Sequence, residues 1–256
     1  MINENELCPL FDFDNQQIAT RQSDKMDVVL PEVALLCFFE EVVNKYSQSQ
    51  NVEKLMTIYH DVIAWNFYKI NYNGKDILFC QSPMGAPLSV NIMEDLFING
   101  VQTVIACGGC GVLEDIGEGE ILLPISAIRD EGTSYHYVEA SKEIELDIGL
   151  INKVAQILDD MNIKYEKCKT WTTDGSKRET PNKIKLRKKQ GCKTVEMECS
   201  ALTACAKFRN KNFAQLLYSG DLLADTANYN NRAWQFNTTT REKLFNICLD
   251  IASILD

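Results

Sequence analysis

Histidine is scarce in this chain, with two in 256 residues, and proline numbers only six. No apolar run reaches the ~18–20 residues that cross a bilayer, so no transmembrane helix and no membrane partner are expected. Six prolines and 13 glycines exclude collagen-like and low-complexity classes. Positive charge is also short. Lys and Arg total 26 against 36 Asp and Glu, a net charge of −10. Broad nucleic-acid binding needs a basic field to displace counterions, so that class is excluded, while a local anion site stays open. The acidic, polar start lacks the pattern of a secretory or mitochondrial signal, and a cytoplasmic location is the expectation. Residues 1–25 show no period and read as a surface lead-in to one domain over 26–256, long enough for a single large core.

Cysteine, by contrast, is plentiful, with ten residues. Most sit inside apolar runs such as ALLCFF and TVIACGGCG, which suits reduced, buried thiols. Cys107 and Cys110 have CxxC spacing. A zinc site would need a second such pair or a histidine pair, and His60 and His136 are far apart in the chain. Neither a metal nor a cofactor is expected.

Along the chain, buried-strand and helix patterns alternate. Val33–Phe39 is a continuous apolar run, as in a strand covered on both faces. Residues 40–47 turn helical. Residues 52–72 are aromatic and β-branched, and Asn73-Gly74 marks a hairpin turn before the strand of residues 76–81. After the turn at 82–87, a helix carries Leu88, Ile92 and Leu96 on one side, with Met93 and Phe97 beside them, and stops at Gly100. The strand of residues 101–107 is expected to end in a turn, Gly108-Gly109-Cys110-Gly111. Strand, helix, strand with short links implies a βαβ unit and a parallel sheet. Downstream come helices near 150–161, 199–208 and 241–255, and strands near 163–170 and 213–218. The basic stretch 183–193 reads as a solvated helix face. The fold class is α/β: a three-layer α/β/α domain around a twisted, partly barrel-like mixed sheet.

Ligands of such sheets bind beyond the carboxyl ends of the strands. Gly85 and the glycines around Cys110 stand at such ends, where bare backbone N–H groups can hold an anion. The same glycines also suit tight turns. Glu196 and Glu198 flank Met197, and on extended backbone they point the same way, as a ribose diol would require. Acids are equally favoured at a helix N-terminus. Asp221, in Ser219-Gly220-Asp221, is either a candidate acid or a turn cap.

In order, SPMGAPLSV (82–90), ACGGCGVLEDIGEGEILLPISAIRDEGTS (106–134), TWTTDG (170–175), TVEMECSAL (194–202) and LLYSGD (216–221) resemble the nucleoside phosphorylase and nucleosidase superfamily, in its uridine-phosphorylase-like branch. The resemblance implies cleavage of a ribose–base bond through an oxocarbenium-like transition state. Glu198 would hold the ribose hydroxyls, Met197 would pack on the sugar, and Glu196 would line the pocket. Asp221 would protonate a purine leaving group. Gly85, Gly109, Cys110 and Gly111 would bind phosphate, a co-substrate, with Cys110, Gly111 and Asp221 facing the base. A homo-oligomer, a dimer or trimer of dimers, is implied, and the aromatic segment 59–72, with Trp65, Phe67 and Tyr68, is either an interface patch or core.

Departures from the pattern matter. The family's Gly-Asp-Pro-x-Arg opening is absent from VALLCFFEE. Its arginine before the second Gly-rich turn is Ala106 here, and the arginine of its neighbour-lent hairpin has no match among Val62, Ile63 and Ala64. The loop after TTD offers no aromatic. Three readings follow: a phosphorylase using Arg129 or Arg178 instead; a nucleosidase with Glu41 or Glu40 as acid/base; and a nucleoside-binding protein without turnover. Arg129 and Asp130 are expected to shape their loop, and His136 to be structural.

Overall fold

The computed structural model describes residues 12, 28–59, 64–223 and 229–255. Most of the lead-in, together with Cys8, His60, Val62 and Ile63, lies outside them.

Strand β1 (Val33–Cys37) is buried at every position, as its unbroken apolar run requires. Phe39 then caps helix α1 (Glu40–Ser47), with Glu40 and Glu41 in the first turn, where acids suit the helix dipole. Strands β2 (Val52–Tyr59), β3 (Ala64–Tyr72) and β4 (Lys75–Gln81) form an antiparallel meander. Asn73 and Gly74 both adopt positive φ, 53° and 81°, the conformation a two-residue hairpin loop needs. Helix α2 (Ala86–Ile98) follows. Ile92, Met93, Leu96 and Phe97 are buried as the periodicity requires, but Leu88 is 41% exposed.

Strand β5 (Thr103–Val112) corrects one expectation. Gly108–Gly111 form no turn; they continue the strand, with Gly108, Gly109 and Cys110 in register with Leu217, Tyr218 and Ser219. The glycines make room for side chains. A methyl on Gly108 would lie 3.1 Å from the Phe38 ring, and one on Gly109 3.1 Å from the Tyr218 ring. Cys107 packs in the main core and Cys110 in a separate cluster, so the CxxC pair is split between them. The nine described cysteines are free and buried, and no described cluster of His, Cys, Asp and Glu could hold a metal.

The remaining elements are β6 (Ile121–Asp130), β7 (Glu143–Glu145), α3 (Ile148–Asp160), β8 (Tyr165–Thr173), α4 (Pro181–Lys189), β9 (Cys192–Glu196), α5 (Cys199–Arg209), β10 (Asn212–Leu222) and α6 (Thr238–Ile254). The strands form one mixed sheet in the order β10-β6-β8-β9-β5-β1-β4-β3-β2, with β7 on β6. Because β10 also pairs with β5, the strands β5, β9, β8, β6 and β10 close on themselves, and β1, β4, β3 and β2 fan out from β5. Helices α2 and α5 pack together, while α6 covers β1, β4, β5 and β10 with α1 and α3 beside it. No described helix is long and apolar enough to cross a membrane.

β5 is the hinge of this plan. One of its edges pairs with β1 from Thr103 to Cys107 and with β9 at Gly111 and Val112. Between these partners, beside the glycines, this edge of β5 changes neighbours and the sheet forks. A ligand site belongs at such a topological switch.

Of the aromatic segment 59–72, the core reading holds for Trp65 and Phe67, while Tyr59 is exposed. Trp65 and Phe67 are buried, and Tyr68 stacks on Phe79 at 5.3 Å between centroids. Nor is α4 a plain solvated face. Its Lys183 and Arg187 both pair with Asp130, at 3.1 and 3.0 Å, and both lie over the Trp171 ring.

Candidate active site

The acids of VEMEC sit where β9 meets α5, and the structure gives them different tasks. Glu196 accepts hydrogen bonds from the backbone N–H groups of Glu198 (2.8 Å) and Cys199 (2.7 Å), and from the Thr172 hydroxyl (2.6 Å). It therefore caps α5 with one oxygen and ties the helix to β8 with the other. Its bond to the Glu198 N–H also fixes the backbone of its neighbour. Glu198 is itself the cap residue of α5, with φ −137° and ψ −29°, so cap geometry and not strand alternation aims its side chain. One of its oxygens accepts the Gly85 N–H at 2.6 Å. Gly85 has φ +101°, strained for any other residue, and this turn presents its N–H to Glu198. That N–H, a candidate phosphate contact, is thus engaged by a carboxylate. Met197, half-buried, stands between the two acids.

Asp221 ends β10 on the other side of β5. A methyl at Gly111 would run into the Leu223 side chain and meet Val195 Cγ1 at 3.0 Å and Asp221 Oδ1 at 3.2 Å, so this glycine leaves room for these side chains to pack against β5. Tyr229 donates to Asp221 at 3.1 Å. Burial raises the Asp221 carboxyl above the ordinary carboxylate range. Glu179 is pushed up to about 7, first by burial and then by the charge of Asp221. Neither Glu179 nor Tyr229 was legible as a site residue. The TTD loop has no aromatic at Gly175–Lys177, and Tyr229 reaches Asp221 only through the path of the chain after β10.

Burial, followed by the charge of Glu196, pushes Glu198 up to about 8. Burial also raises Glu196, against its three hydrogen bonds. A raised carboxyl stabilises the fold below its unfolded value of about 4.5 and loses that contribution as pH rises through about 8. Glu198→Gln removes this loss. The ligand-free variant is expected to gain on the order of 2 kcal/mol over the parent between pH 6 and 9. Denaturant titrations at the two pH values check this, and a difference that does not grow with pH contradicts it.

RDEGTS is scaffolding. Arg129, buried, donates to Ser134 (2.8 Å), the Glu139 carbonyl (2.7 Å) and Ser141 (2.8 Å), and lies over the Tyr135 ring. It shapes its loop as expected, but not through Asp130, which binds Trp171, Lys183 and Arg187. It is not available as a substitute phosphate arginine. Glu131 accepts from Ser200 at 2.9 Å and so fixes α5. His136 and Arg178 are exposed, and Ala106 is buried.

Glu41, at the start of α1, accepts from Arg241 Nη1 at 2.7 Å. Arg241 also donates through Nε to the Tyr218 hydroxyl at 3.2 Å, and its guanidinium lies over the rings of Phe39 and Trp234 at 5.1 and 5.5 Å. Nothing in the motifs marked Arg241, which lies 20 residues beyond Asp221.

The fork, the acid pair at the head of α5 and the acid across β5 form the candidate site. The chain belongs to the phosphorylase superfamily, whose profile matches residues 32–252. It is 25% identical to a DeoD-type purine nucleoside phosphorylase of Brevibacillus brevis over 203 residues, 77% of this chain and 83% of that protein. It is 36% identical to guanosine phosphorylase of Halorubrum lacusprofundi over 74 residues, 27% of this chain and 31% of that protein. Among solved structures, uridine phosphorylase of Vibrio fischeri superposes with a TM-score of 0.76 at 22% identity, covering 92% of this chain and all of that one. AMP nucleosidase of Bacteroides thetaiotaomicron gives 0.69 at 19%, covering 88% of each chain. At these identities the superpositions speak for the fold alone.

Proposed function

We propose that this protein cleaves the N-glycosidic bond of a purine nucleoside by phosphorolysis, releasing free base and ribose 1-phosphate. The observation that carries the reading is the pairing of Glu198, aimed by Gly85 and the Glu196 cap, with Asp221 across the glycines of β5. An ionised Glu198 accepts the ribose hydroxyls and favours positive charge growing on the sugar. A phosphate oxygen attacks the anomeric carbon, the bond to the base nitrogen breaks, and its electron pair leaves with the base. Asp221, whose raised pKa suits holding a proton, supplies that proton to the purine ring. Phosphorylases among the relatives support phosphate as the acceptor.

Hydrolysis is the second reading. It is favoured by the commitment of Arg129 to its own loop and by the place of Glu41 at the head of α1. The working form is a homo-oligomer in the cytoplasm, and Met84, 74% exposed beside Gly85, suits cover by a second copy. Initial rates of base release from inosine, guanosine, adenosine and uridine test the substrate class. Purines are expected to exceed uridine by about tenfold or more, the worth of one protonated leaving-group contact. A preference for uridine contradicts the assignment of Asp221, and no release from any of them supports a binding protein without turnover.

A further inference from the structure

The phosphorolytic reading needs a cation for phosphate, and helix α6 brings an arginine that no motif marks, Arg241, against Tyr218 of β10 and Phe39 at the end of β1. Arg241 has a side chain only 9% exposed, yet its Glu41 partner is 40% exposed. The guanidinium is held on three sides: the Tyr218 hydroxyl takes Nε, and Phe39 and Trp234 lie against its faces. The Tyr218 hydroxyl in turn donates to the Trp234 carbonyl at 3.0 Å, which fixes its orientation. The Tyr218 ring lies against Gly109, and the Phe38 ring lies against Gly108. The arginine is therefore anchored, through Tyr218 and Phe39, near the β5 glycines and the end of β1.

We propose that Arg241 is the oxyanion-binding group for inorganic phosphate, and that the Glu41 carboxylate occupies its place until phosphate displaces it. The proposal rests on the phosphorolytic reading. A guanidinium held by a hydroxyl and two rings is preorganised, so exchanging one oxyanion for another at Nη1 needs no rebuilding of the site. Glu41 is suited to leave, because it is joined to Arg241 by a single bond and stands at the solvent end of the pair. Phosphate carries more negative charge than one carboxylate and offers more acceptor oxygens to the fork of the guanidinium. Glu41 opposes phosphate twice, first by holding the arginine and then by repelling the bound anion.

The test is the phosphate dependence of base release from saturating inosine, with the sugar product identified, for the wild type, Glu41→Gln and Arg241→Lys. Glu41→Gln should lower the KM for phosphate about three- to tenfold, the value of one partly exposed charge-assisted bond. Arg241→Lys, which keeps the charge but loses the fork, should raise it about tenfold. Phosphate-dependent turnover with this KM unchanged in both variants shows a merely structural ion pair and overturns the proposal, as does a rise in Glu41→Gln. If the wild type forms free ribose without needing phosphate, the phosphorolytic reading itself has failed, and the proposal with it. Glu41→Gln should then lose turnover, because Glu41 serves as the base for water.

Discussion

Glu198→Gln is expected to lower kcat/KM by roughly 100- to 1000-fold on every nucleoside the protein accepts. The ribose is common to all of them, so the loss should not depend on the base. Gln keeps the size of the side chain and an oxygen for the Gly85 N–H. It lacks the charge that opposes the growing positive charge of the sugar, and its NH₂ group cannot accept a hydroxyl. The wild type should show a matching pH signature. Its Glu198 is pushed up to about 8, so kcat/KM should climb as pH rises towards that value, and the climb should vanish in the variant. An equal loss with the same pH profile would point to disturbed packing. The variant is also the one expected to be more stable at high pH, so the charge is held at a cost in stability.

Asp221→Asn is expected to slow purine cleavage by roughly 30- to 1000-fold and uridine cleavage much less. Asn has the shape of Asp and can still meet the Tyr229 hydroxyl, but it has no proton to give a leaving nitrogen. A substrate that needs no proton makes the sharpest comparison. In a guanosine methylated at N7 the base already carries the positive charge that protonation would supply. Its cleavage by the variant should stay within about threefold of the wild type, while guanosine itself is lost. If both substrates fall together, Asp221 holds the site's shape and does not act as the acid. Its raised pKa would then reflect burial alone.

The α/β alternation was legible because β1 and β5 are buried on both faces and α3 keeps a clean apolar side. The carboxyl ends of the strands were legible as the candidate site for the same reason. β6 was not, because Pro124 and the register shift beside it break the strand pattern. The β5 glycines read as a turn because local sequence cannot show that Phe38, Tyr218 and Leu223 fill the space their side chains would take. The acids of VEMEC were visible as a pair. Their division into a cap of α5 and a carboxyl held by the Gly85 N–H depends on Thr172 and Gly85, both distant in the chain. Arg129 looked available because partners such as Ser134, Glu139 and Ser141 follow it in an unremarkable loop. Arg241 was hidden for the opposite reason, since its partner Glu41 lies 200 residues away.

The fate of the sugar tests the account most directly. The protein would be mixed with inosine and inorganic phosphate, and the reaction followed by phosphorus and proton NMR. The account predicts hypoxanthine and ribose 1-phosphate in equal amounts, with phosphate consumed in step and no reaction in its absence. Free ribose with phosphate untouched, or inosine left intact, would contradict it.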